Sequence, residues 1–133
     1  MKADVKVALE EELLQTILEG ARRQYPRETV VLLRGRKGKN LIEITDLLIP
    51  PLANYGKGFA NIPLHMLPTD FSIVGSAHSH PSGNLTPSST DLNHFFGMVL
   101  MITGFPFANK ENAVVYNRNG EKLTLQVTER GKT

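Results

Sequence analysis

The sequence predicts an α/β fold in which a mixed β-sheet is covered on its faces by helices. Three observations carry that expectation. Apolar residues recur with helical and with strand spacing in alternation along the chain, the pattern of a sheet flanked by helices. Val30-Val31-Leu32-Leu33 is an unbroken apolar run, which fits a strand buried on both faces. Near the C-terminus two strand-like segments flank Asn117-Arg118-Asn119-Gly120, and Asn-Gly is a strong short-range hairpin signal.

Taken in order, residues 9–24 read as an amphipathic helix with Leu9, Leu13, Leu14, Ile17 and Leu18 inward and Glu10, Glu11, Glu12 and Glu19 on its wet face. Strands follow over residues 28–34 and 41–49. In the second, Ile42 and Ile44 point one way and Glu43 the other. Between them Arg34, Arg36, Lys37 and Lys39 alternate with Gly35 and Gly38, the composition of a solvated hairpin turn. Residues 50–62, rich in Pro, Asn and Gly, read as a loop, with a short helix around residues 64–67. Residues 71–77 form a strand-like run centred on Ile73 and Val74. A helix over 88–96, a strand over 98–103, a loop over 104–112 and a hairpin of 113–116 with 122–127 complete the chain.

Length and charge limit the function classes. The 133 residues read as one domain, 1–133, enough for a single core that buries about two-thirds of the extended surface. No linker, internal repeat or low-complexity segment interrupts it. A net charge of +2 with no broad basic face argues against nucleic acid as a partner. Met1-Lys2-Ala3-Asp4-Val5-Lys6 lacks the apolar centre of a signal peptide, and the apolar stretch at 98–102 is too short to span a bilayer. A cytoplasmic protein without a membrane partner is expected. The absence of cysteine excludes a disulfide-stapled scaffold.

The chemistry concentrates in His78-Ser79-His80-Pro81-Ser82-Gly83-Asn84-Leu85-Thr86-Pro87-Ser88-Ser89-Thr90-Asp91. His78 and His80 fall on one side of a strand end. Pro81, Gly83 and Pro87 break the chain into a loop, after which a helix start returns Asp91 towards the imidazoles. Two imidazoles and one carboxylate make a ligand set for zinc that leaves a coordination position open, as hydrolytic zinc requires. Taken alone, His-x-His is more often coincidence, and Ser88-x-x-Asp91 is equally a helix capping box. Together at these spacings the four residues arise by chance in roughly one chain of this length in several thousand, which favours the metal reading. Capping and ligation are compatible for Asp91.

His-x-His, seven residues, Ser, two residues, Asp resembles the signature of the JAMM (MPN-plus) zinc metalloproteases, here His78, His80, Ser88 and Asp91. Gly75, Pro81 and Pro87 fit the same pattern. The resemblance implies a three-layer fold like that of the cytidine deaminases, one zinc ion per chain held by His78, His80 and Asp91, and a glutamate upstream at the start of a strand. Glu28, in Tyr25-Pro26-Arg27-Glu28-Thr29-Val30, is the candidate general base. Its rivals Glu10, Glu11, Glu12, Glu19 and Glu43 sit on solvated faces. One departure is Val31, where many members of the family carry glycine.

The resemblance further implies an isopeptidase that removes ubiquitin-like modifiers from conjugates after a Gly-Gly tail. Zinc and the Ser88 hydroxyl would stabilise the oxyanion while Glu28 moves protons. Ubiquitin-like modifiers and their conjugates are the expected partners, and a homodimer is compatible with them. A compact enzyme of prokaryotic type, acting on small modifiers or on sulfur-carrier proteins of ubiquitin-like fold, suits the short segments at 50–62 and 104–112. Two alternatives stand beside it: a non-catalytic MPN scaffold, which would generally lack zinc ligands, and a RadC-like DNA-associated protein, whose His-x-His-Pro-Ser-Gly run is similar. His65 and His94 are read as structural.

Overall fold

The computed structural model describes residues 4–49, 72–94 and 97–129. The loop expected over 50–62, the short helix around His65, the last two residues of the helix expected over 88–96 and the surroundings of the His94 side chain lie outside the described residues.

The chain runs β1 (Lys6–Glu10), α1 (Glu11–Gln24), β2 (Val30–Gly38), β3 (Leu41–Leu48), β4 (Ile73–His80), α2 (Ser89–His94), β5 (Val99–Gly104), β6 (Ala113–Tyr116) and β7 (Lys122–Thr128), with a 3-10 turn at Lys110–Asn112. Glu11 and Glu12 in the first turn of α1 and Arg22 and Arg23 in the last complement the helix dipole. The helix buries Leu14, Ile17, Leu18 and Ala21, a stripe at helical spacing. It stops at Tyr25, because Pro26 disfavours helical geometry in the residue before it.

The helix therefore begins at Glu11 and not at residue 9. Leu9 and Glu10 instead end a strand over residues 6–10 that buries Val7 and Leu9, and for residues 6–8 the sequence predicts no element. Leu9 is inward as expected, but from β1, and Leu13 is only partly buried. Arg36 and Lys37 belong to β2, not to the turn, which is confined to Lys39 and Asn40. Asn40 supplies the positive φ of 58° that so tight a connection needs. Arg36 pairs across the ladder with Glu43 at 2.8 Å, an exposed contact worth a fraction of a kcal/mol.

The strands form one mixed sheet that closes on itself in the order β1-β3-β2-β4-β5-β6-β7. β2 lies antiparallel between β3 and β4, β4 runs parallel to β5, and β5, β6 and β7 are antiparallel. β1 runs parallel to both β3 and β7 and so joins the two ends. An α/β fold with a mixed sheet flanked by helices is what the sequence predicts; closure of the sheet is additional to it.

Alternation along the central strands sends side chains to opposite faces. Val31, Leu33, Ala77, Val99, Met101 and Val115 join α1 in the larger core cluster, whereas Val30, Leu100, Ile102 and Tyr116 meet Leu85 and Leu92 in a smaller one. Leu92 belongs to α2, so the two helices pack on different faces. Gly75 lets β4 and β5 approach closely, since a Cβ there would stand 2.1 Å from the Val99 carbonyl oxygen. Among the described residues no helix is long and apolar enough to cross a membrane.

Candidate metal centre

The face that carries α2 also receives the two histidines. Val30 pairs with His78 in the β2–β4 ladder and Ile102 pairs with His78 in the β4–β5 ladder, so His78 projects on the side of the smaller cluster, and His80 follows one pleat later. His78 is buried and His80 half-buried at the strand end. The chain then turns sharply: the Gly83 N–H donates to the His80 carbonyl at 3.0 Å, with Gly83 at φ +85°. The Tyr116 hydroxyl donates to the Leu85 carbonyl at 2.8 Å, which ties the loop down over the smaller cluster.

The loop delivers Ser88 as the cap of α2. The Asp91 N–H donates to Ser88 Oγ at 3.0 Å and the Ser88 N–H donates to Asp91 Oδ2 at 2.8 Å, a reciprocal capping box. The same carboxylate lies between the imidazoles. His78 Nδ1 stands 3.2 Å from Asp91 Oδ1 and His80 Nε2 stands 3.3 Å from Oδ2. Capping and contact with both histidines thus coexist in Asp91, as the sequence suggested.

Electrostatics follow from this packing. Burial alone would push the Asp91 carboxyl up, but hydrogen bonds from His78, His80 and the Ser88 backbone outweigh it and hold the group well below the usual carboxylate range. His80 moves the other way: its hydrogen bond to Asp91 raises its pKa against the opposing effect of burial, and the Asn84 carbonyl and the charges of Asp91 and Glu28 add to the rise.

The orientation of His80 is decided by Asn84. Its Nδ1 lies 2.7 Å from the Asn84 carbonyl oxygen, which can only accept, so Nδ1 carries the hydrogen. In the neutral ring Nε2 then presents a lone pair towards a carboxylate. Either a proton or a metal cation must stand between them. A ring whose far nitrogen donates to a backbone carbonyl is the usual arrangement of a metal-binding histidine.

Among the described residues no group of three or more His, Cys, Asp or Glu side chains is already arranged as a metal cage. The donor set nonetheless fits zinc by chemistry. Two imidazoles and a carboxylate in mutual contact are the nitrogen and oxygen donors that hydrolytic zinc takes, with one coordination position left open.

Glu28 lies two residues before β2 and is half-buried. Thr29 is bonded twice to Ser79: its N–H donates to Ser79 Oγ at 2.7 Å and its carbonyl accepts from the Ser79 N–H at 3.1 Å. These bonds bring Glu28 to the end of β4 where the imidazoles project, and its charge is felt at His80. The structure therefore brings His78, His80, Ser88 and Asp91 into contact and sets Glu28 at their edge.

Three residues at this site escaped sequence reasoning: Asn84, which orients His80; Ser79; and Thr103, whose hydroxyl donates to the His78 carbonyl at 3.3 Å. Only Ser79 had a sequence signal, as a polar residue whose strand position turns it away from the histidines.

The model of prokaryotic homologues of the JAB domain matches residues 10–120, a span that contains all five. The chain belongs to the JAMM/MPN family. A protein of Haloferax volcanii named a probable metalloprotease is 33% identical to this JAMM/MPN chain over 128 residues, 91% of this chain and 79% of its own. A JAB1/MPN domain protein from Archaeoglobus fulgidus superposes with a TM-score of 0.69 at 32% identity, over 94% of this chain and all of its own. A structure described as JAMM, a metalloprotease-like zinc site in the proteasome and signalosome, gives a TM-score of 0.64 at 28% identity, over 96% of this chain and all of that one. This JAMM/MPN domain is thus similar to metalloproteases and metalloprotease-like proteins through most of its length.

Proposed function

We propose that this JAMM/MPN protein is a zinc-dependent isopeptidase that releases ubiquitin-like modifiers from conjugates after a C-terminal Gly-Gly. The observation that carries the reading is the Asp91 carboxylate shared by two imidazoles, one of them locked in the tautomer that metal binding requires. In this reading His78, His80 and Asp91 hold zinc. Bound there, zinc supplies Lewis acidity towards water and a substrate carbonyl.

The chain's own residues do the rest. Glu28, at the edge of the ligand set, takes a proton from the attacking water and returns it to the leaving amine. The Ser88 hydroxyl accepts the Asp91 N–H and can donate its own hydrogen to the oxyanion. Within this reading the sheet with α1 and α2 on its faces corresponds to the three-layer, deaminase-like arrangement that the family resemblance implies, and the protein works in the cytoplasm.

The surroundings suit an extended tail. A cavity of about 830 Å³ lies between α1 and the end of β3, on the α1 face of the sheet, with Thr16, Gly20, Leu47, Thr29 and Thr103 among its lining. β3 pairs with β1 only through Glu43; among the described residues its edge beyond that point has no strand partner, so a peptide can add to it by main-chain hydrogen bonds. Sulfur-carrier proteins of ubiquitin-like fold offer the same kind of tail.

The deciding experiment is cleavage of a small ubiquitin-like protein joined through Gly-Gly to a lysine, with and without a chelator, beside Glu28→Ala. Cleavage is expected only from the zinc-loaded wild type, and Glu28→Ala should retain zinc while losing at least about 10²-fold in rate. Metal-dependent turnover that survives in Glu28→Ala removes Glu28 from the mechanism. No cleavage by zinc-loaded wild type removes the isopeptidase reading in favour of a scaffold.

A further inference from the structure

We infer that Ser79, between the two imidazoles on β4, is a positioning residue that holds Glu28 in place from the opposite face of the sheet. The inference rests on the proposed role of Glu28 and adds a residue to it. Strand alternation turns the Ser79 side chain away from His78 and His80. It is 1% exposed, and its hydroxyl oxygen is the acceptor for the Thr29 N–H at 2.7 Å.

The pattern of bonds explains what the hydroxyl does. The β2–β4 ladder is antiparallel, and its last pair at this end is Val30 with His78. One step further an ideal ladder would present a carbonyl to each N–H. Here the Ser79 N–H still donates to the Thr29 carbonyl at 3.1 Å, but Thr29 in return donates to a side-chain oxygen. The chain can leave the sheet at Thr29 without abandoning an N–H that is partly buried.

Glu28 is the next residue along, just outside β2, and its charge is felt at His80. A two-point clamp on Thr29 thus sets where the Glu28 carboxylate stands relative to the imidazoles. A displacement of about 1 Å at a reacting group is enough to cost on the order of 10²-fold in rate, so the clamp matters even though Ser79 touches none of the reacting atoms.

The test compares Ser79→Ala, Ser79→Thr and Ser76→Ala. Ser76 is a matched control, a fully buried serine on the same strand whose hydroxyl makes no hydrogen bond among the described residues. Amide hydrogen exchange at Thr29 is followed in chelator-treated protein, zinc content after loading with zinc alone, and kcat and KM on the Gly-Gly–lysine conjugate. Ser79→Ala is expected to speed Thr29 exchange about tenfold, the loss of one hydrogen bond, and to keep one zinc per chain. Its kcat should fall about 10- to 100-fold with KM unchanged.

Ser79→Thr, which keeps the hydroxyl, should restore both exchange and kcat, and Ser76→Ala should change neither. Unchanged Thr29 exchange in Ser79→Ala overturns the inference, as does a kcat loss equalled by Ser76→Ala. If alanine prevents folding, Ser79→Cys keeps the volume with a weaker acceptor and is read for the same directions. Wild type that cleaves nothing defeats the isopeptidase reading alone; Thr29 exchange then still decides whether Ser79 clamps the chain at Glu28.

Discussion

His80 stands between a carbonyl that fixes its tautomer and a carboxylate that calls for a cation, and the metal-free protein should show this as a titration. With its pKa raised by Asp91, His80 contributes stability that is fully present below the unfolded value of about 6.5 and is lost as pH rises through the raised folded value. Asp91, held low, contributes stability that is present above about 3.9 and is lost as pH falls towards its depressed value. The urea midpoint of chelator-treated protein should therefore be highest between about pH 4 and 6.5 and decline towards pH 8; a flat profile from pH 6 to 8 contradicts it. Asp91→Asn removes the charge and should return His80 towards its ordinary pKa, which NMR titration of the imidazole reads directly. Zinc reverses the preference, because it competes with the proton at Nε2 and binds more tightly as pH rises.

Elements place these residues through contacts that leave little slack. β4 carries both histidines and lies against β5, where Gly75 has no room for a side chain: a Cβ would fall 2.1 Å from the Val99 oxygen and 2.6 Å from its Cγ2. Gly75→Ala should cost more than about 2 kcal/mol and weaken zinc binding, since the strand must shift away from its partner. A urea titration and a zinc titration on the same variant check both; an unchanged midpoint would mean that β5 yields at no cost. Much of this level was legible in the sequence. The strand ending in His78 and His80, the loop broken by Pro81 and Gly83, and the cap at Ser88 all rest on local rules of periodicity and turn chemistry. β1 was not legible, because Leu9 runs into Leu13 and Ile17 without a break and reads as the start of the helix, which leaves too short an alternation in Val5 and Val7 to mark a strand.

At the scale of the molecule the sheet works as a partition. α1 and the larger cluster lie on one face, and the imidazoles, α2 and the smaller cluster on the other. Stability and site chemistry should therefore separate. Leu18, with no exposed surface, sits in the larger cluster; Leu18→Ala should cost about 3 kcal/mol by transfer and cavity terms. Its zinc affinity should match wild type at temperatures where the variant is folded, as isothermal titration would show. A large loss of affinity in that folded variant would mean that the faces are coupled.

The sequence by itself determined the site's composition, because the histidines, the cap and the carboxylate lie within fourteen residues and strand alternation and loop closure act over that range. It also determined most strands and the main helix, whose periodicities are local. Only the tertiary structure decided which strands meet: β1 closes the sheet by pairing with β3 and with β7, and parallel pairs between remote segments leave no local mark. The same holds for Glu28, set fifty residues before the first histidine and brought to it by Thr29 and Ser79. The bonds that aim the base and orient the imidazole depend on backbone groups, and every residue has a backbone N–H or carbonyl to offer until the fold selects one.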